Sequence, residues 1–304
     1  MTEHEFTLAD RITKIKSINE QYDLEHNAYV SFSGGKDSTV LHYLIDEALP
    51  GNNIPRVFIN TGIEYKLLLK FVRELAKKDN RIIIYNVNKN IRDTLNEVGY
   101  PFKSKTHSKK LLEYRKGYPC KSVQGYWRKT KEPYVMQCPE VLMYQTDPSF
   151  KLKISDRCCY EFKKEPVHRY EKESGRIIGI TGMRKAEGGS RFNITCTVFS
   201  DKNLKRFHPL SIVNEEFEDW FIESRNIRLC DLYYAPYNFH RTGCKGSPYT
   251  LYLQENLDTL AQLLPSERKQ CEILWKPVYD EYRRIGYRLR KVNEYQPSLF
   301  EEFN

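Results

Sequence analysis

Apolar residues recur at three- to four-residue spacing between positions 8 and 25, at Leu8, Ile12, Ile15 and Ile18, with Arg and Lys between them. That spacing predicts an amphipathic leading helix. The helical period then stops. Ala28-Tyr29-Val30-Ser31-Phe32 is a short apolar and aromatic run leading straight into Gly34-Gly35, after which Val40, Leu41, Leu44 and Ile45 return at helical spacing. The predicted order is strand, tight loop, helix. A second unit reads as strand over 56–60 and helix over 65–78, and 81–87 reads as a third strand. Another buried run ends in a loop at Gly179-Ile180-Thr181-Gly182. Strands separated by helices of this length imply right-handed βαβ crossovers, hence an α/β fold with a parallel, doubly wound sheet.

Between 99 and 153 the pattern deteriorates into a stretch rich in Lys, Tyr and Pro, with Lys109-Lys110, Tyr114-Arg115-Lys116 and Trp127-Arg128-Lys129. Two readings stand for it. It is either a solvated helical insertion, or a set of cations and aromatics that clamps an unpaired nucleic-acid strand through phosphate contacts and base stacking. Helical periodicity resumes over 214–225, 250–264 and 265–289, with Pro265-Ser266-Glu267 as a helix start. The tail Gln296-Pro297-Ser298-Leu299-Phe300 is expected to fray or to dock on a partner. The implied organisation is an N-terminal helix (1–25), a nucleotide-binding domain (26–212) with a basic insertion at 100–153, and a mainly helical C-terminal region (213–304) carrying a cysteine segment.

Composition narrows the setting. In 304 residues, 40% hydrophobic and 29% charged, no stretch approaches the roughly 20 apolar residues of a membrane span, so a soluble protein with no membrane partner is expected. The start, Met1-Thr2-Glu3-His4-Glu5-Phe6, lacks the apolar run of a secretory signal, which makes the cytoplasm the expected compartment. Eight cysteines in reducing surroundings favour metal ligation or thiol chemistry over disulfides. A net charge of +9 favours a polyanionic partner such as nucleic acid or a phosphate-rich small molecule, and is equally what a generally basic surface would give.

Ser33-Gly34-Gly35-Lys36-Asp37-Ser38 is shorter than a Walker loop, because four residues do not separate a first glycine from a Gly-Lys-Ser. Paired glycines let backbone N–H groups approach phosphate oxygens while the next helix points its positive end at them. Ser33 and Ser38 add hydroxyls, Lys36 a mobile cation, and Ser31 lies at the end of the preceding run.

These residues, with Asn60-Thr61-Gly62 after the second strand, resemble the PP-loop superfamily, whose fold is the adenine nucleotide alpha hydrolase-like one. The likeness is to the phosphoadenosine-phosphosulfate (PAPS) reductase-like branch. It runs to about Tyr249, through Ile154-Ser155-Asp156-Arg157-Cys158-Cys159, Gly182-Met183-Arg184-Lys185-Ala186-Glu187 with Arg191, Pro209-Leu210-Ser211-Ile212 leading to Trp220, and Arg241-Thr242-Gly243-Cys244-Lys245-Gly246-Ser247-Pro248. The resemblance implies an adenine nucleotide across the carboxyl ends of the strands, with Arg184 and Arg191 facing its anionic groups. It also implies a [4Fe–4S] cluster on Cys158, Cys159 and Cys244. Where such relatives carry a fourth cysteine this chain has Ser247, so three arrangements remain open: three thiolates and an open iron, a substitute ligand (Ser247 itself, Cys230 or the weaker Cys271), or no cluster.

Two chemistries belong to that branch. A sulfonucleotide reductase of PAPS or APS, working with thioredoxin, needs a C-terminal Glu-Cys-Gly-x-His nucleophile segment, which the sequence lacks; Cys271 has no such neighbours. An ATP pyrophosphatase instead adenylates a substrate for sulfur transfer, as in the PP-loop components of DNA phosphorothioation systems and the tRNA thiolases. Lys36 would then neutralise departing pyrophosphate, Asp37 would hold Mg²⁺ or orient the loop, and Arg184 would meet phosphate. A cysteine desulfurase is the expected sulfur donor and nucleic acid a candidate acceptor. A nucleotide-sensing protein without turnover is the remaining alternative.

Overall fold

The computed structural model describes residues 2–118, 120–131 and 136–291, so the tail at 296–300 lies outside the described residues. In chain order the elements begin α1 Glu3–Tyr22, α2 Leu24–Asn27, β1 Ala28–Ser31, α3 Lys36–Ala48, β2 Arg56–Asn60, α4 Lys66–Lys78 and β3 Ile82–Asn86. Next come α5 Ile91–Val98, α6 Lys105–Arg115, α7 Lys121–Tyr126, α8 Glu165–Ser174 and β4 Ile178–Ile180. The chain continues with β5 Thr197–Ser200, β6 Asn203–Phe207, α9 Glu215–Ser224, α10 Leu253–Leu263 and α11 Pro265–Ile285. They fall into two compact units, the first 1–88 with 163–243 and the second 89–162 with 244–304. This is a different division from the sequence-based one at 25 and 212. It groups the basic stretch with the C-terminal helices, and it puts α1 into the core of the first unit through Ile15 and Ile18.

The first unit holds one six-stranded sheet in the order β3-β2-β1-β4-β6-β5. Five strands are parallel, as expected. β5 is antiparallel to β6 and closes one edge as a hairpin, which the sequence reading did not anticipate because Thr197–Ser200 is largely exposed and lacks an apolar run. Alternation along the strands explains the layering. Ala28, Val30, Ile178 and Ile180 face a core shared with α1, α3 and α9, and Phe32, Phe58 and Ile82 pack on Val72 of α4. On the opposite face Tyr29 and Val57 meet Tyr170 of α8. Gly179 is dictated there, since a Cβ would stand 2.9 Å from the Tyr29 hydroxyl oxygen. Connections run outward from β1 to β2 and β3, then resume on its other side at β4. The loops after β1 and β4 therefore flank the switch point where open α/β sheets bind ligands.

The second unit is helical. Its interior corrects the reading of the basic stretch as a solvated insertion, because Phe102, Leu111, Val123, Tyr126, Trp127 and Leu142 are all buried. His107 is buried with them, between the Tyr126 hydroxyl at 2.9 Å and Gln145 Oε1 at 2.7 Å. Trp127 gives its indole N–H to the Lys110 carbonyl and is fully buried, so it is not available to stack on a base. In α11, Tyr279 and Tyr282 donate hydroxyl hydrogens to the carbonyls of Gly246 and Pro248, which holds the Gly246–Pro248 segment against that helix. Among the described residues no helix is long and apolar enough to cross a membrane.

Candidate functional site

The glycine loop joins β1 to α3 in the first unit. Gly34 sits at φ +70°, and a Cβ there would lie 2.8 Å from Val72 Cγ2 and 3.0 Å from Leu68 Cδ1. Both backbone hand and space demand glycine. Ser33 and Ser38 close the turn on themselves, their hydroxyl oxygens 3.0 Å apart, and the Ser38 hydroxyl reaches the Gly35 carbonyl at 3.0 Å. The first amides of α3 have no intrahelical acceptor. That of Lys36 donates to the Tyr233 hydroxyl at 3.0 Å, which also contacts Thr242 Oγ1 at 3.0 Å. Those of Asp37 and Ser38 belong to the same unsatisfied helix end, the usual anion-binding feature.

At the end of β2, Asn60 donates its amide to Asn86 Oδ1 at 2.8 Å. The amides of Thr61 and Gly62 both donate to Glu64 Oε2 at 3.0 Å, and the Thr61 hydroxyl donates to Glu64 Oε1 at 2.7 Å. Glu64 thus shapes this loop, a role the sequence did not reveal. After β4, Gly182 approaches the first turn of α3 so closely that a Cβ would stand 2.9 Å from the Asp37 carbonyl oxygen. This close approach carries Arg184 to Asp37. The Arg184 Nε–H donates to Asp37 Oδ1 at 3.0 Å, and Nη2 lies 3.2 Å from Glu218 Oε2, off the hydrogen-bonding direction. Among the described residues the Nη1 edge has no protein acceptor.

Three acids of α9 face this region. Lys36 Nζ lies 2.5 Å from Asp219 Oδ1 and 3.5 Å from Glu215 Oε1. Burial works against its ammonium, but these carboxylates more than offset that and hold its pKa above the ordinary lysine value. Glu218, fully buried, is pushed the other way: burial first, then the Asp37 carboxylate, raise its carboxyl to about 9. Arg191 does not join the group. It pairs with Glu187, which also holds Arg241 at 3.0 Å.

The three cysteines lie together in the second unit. Cys158 and Cys159 Sγ are 4.0 Å apart. The hydrogen bond to Cys159, burial, and the charges of Cys159 and Cys244 raise the Cys158 thiol far above the ordinary range. A buried thiol that resists ionising alone is a poor structural ion but a good ligand once a cation is present, since soft thiolates suit iron. The donor set therefore fits a three-thiolate centre. Of the residues considered for a fourth position, the Ser247 hydroxyl oxygen accepts from the Tyr249 amide at 3.3 Å and Cys271 packs on Gly246 with its thiol raised to about 12 by burial, while Cys230 is buried within the first unit. All eight cysteines are free.

For Mg²⁺ the chain offers less. Asp37 is engaged by Arg184. Among the described residues the group whose three ligand atoms lie close together is His42, Asp46 and Asp79, and Arg56 and Arg81 already saturate it, at 2.6 Å and 2.7 Å from Asp46 and 2.8 Å from Asp79.

A family model described as the phosphoadenosine phosphosulfate reductase domain matches residues 27–286. An uncharacterized protein of Methanocaldococcus jannaschii is 32% identical over 290 residues, 91% of this chain and 55% of that protein, so the chain spans about half the length of this relative. Among solved structures, the PAPS reductase of Candida auris in its phosphate complex is similar at 15% identity and a TM-score of 0.39, covering 68% of this chain and 76% of that one. The U34-tRNA thiolase NcsA of Methanococcus maripaludis, solved with its [4Fe-4S] cluster, is similar at 15% identity and a TM-score of 0.39, covering 90% and 80%.

Proposed function

This chain belongs to the phosphoadenosine phosphosulfate reductase domain family, and we propose that within it the protein is an ATP pyrophosphatase that adenylates an acceptor for sulfur transfer. One observation carries the reading. The glycine-dictated loop, the open end of α3, Lys36 and the Asp37–Arg184 pair converge at the switch point, where a nucleotide's phosphates would meet N–H donors and cations together.

An acceptor oxygen bonds to the α-phosphorus of ATP, the bond from that phosphorus to the α–β bridging oxygen breaks, and pyrophosphate leaves. The work of the protein is placement and charge neutralisation. Lys36 exchanges its exposed partners Asp219 and Glu215 for the departing pyrophosphate. Ser33, Ser38 and the first amides of α3 hold the terminal phosphates, Asn60, Thr61 and Gly62 border the nucleoside, and Arg184 offers its Nη1 edge to a phosphate oxygen. Arg191 serves indirectly, by keeping Glu187 and Arg241 in place. Hydrosulfide, freed from the persulfide of a donor such as a cysteine desulfurase by two equivalents of a thiol reductant that leave as a disulfide, then displaces AMP from the acceptor. A cluster on Cys158, Cys159 and Cys244 would supply a thiophilic iron with an open position. A divalent cation would accompany the triphosphate, with Asp37 as its one carboxylate from this loop. The excess of Lys and Arg favours a nucleic-acid acceptor, and free thiols favour the cytoplasm.

Sulfonucleotide reduction is the second reading, favoured by the family's description. The sole cysteine beyond Ser247 is Cys271, buried in α11 with its thiol raised, which is the opposite of an activated nucleophile. Competition between ATP and PAPS separates the two readings. The proposal expects ATP to bind tighter and no sulfite to form with thioredoxin; tight PAPS binding with sulfite release would replace it.

A further inference from the structure

Gly35 has an ordinary negative φ of −79°, so backbone hand does not explain it. Crowding does: a Cβ there would stand 3.2 Å from the Tyr233 hydroxyl oxygen and 3.3 Å from the hydroxyl oxygens of Ser33 and Thr242. Three hydroxyls thus converge on one face of the loop, and two of them come from outside it. Tyr233 ends the short 3₁₀ turn Asp231–Tyr233 beyond α9, Thr242 follows nine residues later, and both belong to the first unit. The chemistry proposed above gives neither a task.

Counting hydroxyl hydrogens shows which donor is left over. The Ser38 hydrogen goes to the Gly35 carbonyl at 3.0 Å, so in the 3.0 Å contact between Ser33 and Ser38 the donor is Ser33. These two hydroxyls reach a phosphate only by giving up those acceptors. The outer pair differs. The Tyr233 oxygen accepts the Lys36 amide hydrogen at 3.0 Å and lies 3.0 Å from Thr242 Oγ1. That contact uses one of two hydroxyl hydrogens, and among the described residues neither oxygen has another partner. Burial raises the pKa of the phenol, so both hydrogens are present at neutral pH. An oxygen that accepts from an amide becomes a stronger donor, which directs the Tyr233 hydrogen to Thr242 and leaves the Thr242 hydrogen without an acceptor. Thr242 stands against Gly35 at the N-terminal end of α3, where the terminal phosphates are proposed to sit.

We propose that Thr242 is a further phosphate-binding residue of this loop, donating its hydroxyl hydrogen to the β,γ-phosphates that leave as pyrophosphate, with Tyr233 as the positioning residue that aims it. This rests on reading the loop as an adenine-nucleotide site. A hydrogen bond to a charged acceptor of this kind is worth about tenfold in affinity.

The test is titration calorimetry of the full chain at neutral pH with ATP, and separately with inorganic pyrophosphate. Thr242→Val keeps the shape of the side chain and removes the hydrogen, so it should weaken both about tenfold, and Thr242→Ser, which keeps the hydroxyl, should restore the affinity. Tyr233→Phe should weaken pyrophosphate as well, and its loss should not add to that of Thr242→Val, since both act through one donor. Undiminished binding by Thr242→Val overturns the proposal, as does a Thr242→Ser protein as weak as the valine variant, which would mark a packing role; additive losses overturn the part given to Tyr233. Hydrogen–deuterium exchange of the wild type with and without pyrophosphate needs no variant. The amides of 239–243 should exchange more slowly together with those of 33–38, and protection confined to 33–38 overturns the proposal even where a substitution fails to fold. Wild-type binding of pyrophosphate but not ATP overturns the adenine-nucleotide reading and leaves Thr242 to be judged on pyrophosphate. Binding of neither overturns both.

Discussion

Replacing Glu218 with glutamine should change how stability depends on pH, and the size of the change follows from the site. In the folded protein the carboxyl holds its proton up to about 9, whereas in the unfolded chain it releases it near 4.5. Between those values unfolding releases a proton, so wild-type stability falls as pH rises through the window. Each pH unit costs about 1.4 kcal/mol, so the two units between about pH 5 and pH 7 cost about 2 to 3 kcal/mol. Glutamine has nothing to release. The stability of Glu218→Gln relative to wild type should therefore rise by about that amount over the same interval and level off above about pH 9. Other titrations are common to both proteins and cancel in the difference, as does the fixed cost of burying an amide. Urea unfolding followed by tryptophan fluorescence at several pH values measures it. A difference that stays constant with pH would show that Glu218 is ionised in the folded protein and that burial and the Asp37 carboxylate do not hold its proton there.

Other consequences are independent of Glu218. Gly34→Ala forces a Cβ onto Val72 and Leu68 in a left-handed backbone, so it should cost about 1 to 3 kcal/mol in denaturant unfolding and weaken ATP binding at least tenfold. Cys158→Ser and Cys244→Ser, purified without oxygen, should each lose most of the iron and sulfide of the parent protein; equal content in both would remove those thiols from the centre. Burial pushes His42, His107 and His208 down to about 4, below the unfolded value of 6.5. Their stabilisation is present above pH 6.5 and is lost as pH falls toward 4, so the thermal midpoint should drop steeply across that range.

The glycine loop was legible in the sequence because its chemistry is contiguous: hydroxyls, paired glycines and lysine follow one buried strand, and the fold places them at the end of β1. Gly182 and Arg184 were legible as a motif, but the reason for their spacing was not, since it lies in the approach of Gly182 to the Asp37 carbonyl. Glu218 could not have been singled out. It is one of four acids in the first half of α9, and only tertiary packing buries it while leaving Glu215 and Asp219 in reach of Lys36. Glu64 was hidden in the same way, an ordinary acid until its carboxylate gathers the amides of Thr61 and Gly62. In the basic stretch, the lysines flanking Tyr126 and Trp127 disguised core residues as a polar surface, because helices as short as α7 carry too few apolar positions to display a period. At Ser247 the sequence could not reveal that the hydroxyl oxygen accepts from the amide of Tyr249, because that contact belongs to the local turn.

The most direct test of the central claim is to follow ATP labelled at the α-phosphorus, incubated anaerobically with the protein and with total RNA or DNA as acceptor. Label should appear in AMP, with one pyrophosphate released for each, and Lys36→Met should abolish both. Recovery of label as ADP, or intact ATP from a preparation that forms sulfite from PAPS, would contradict the account.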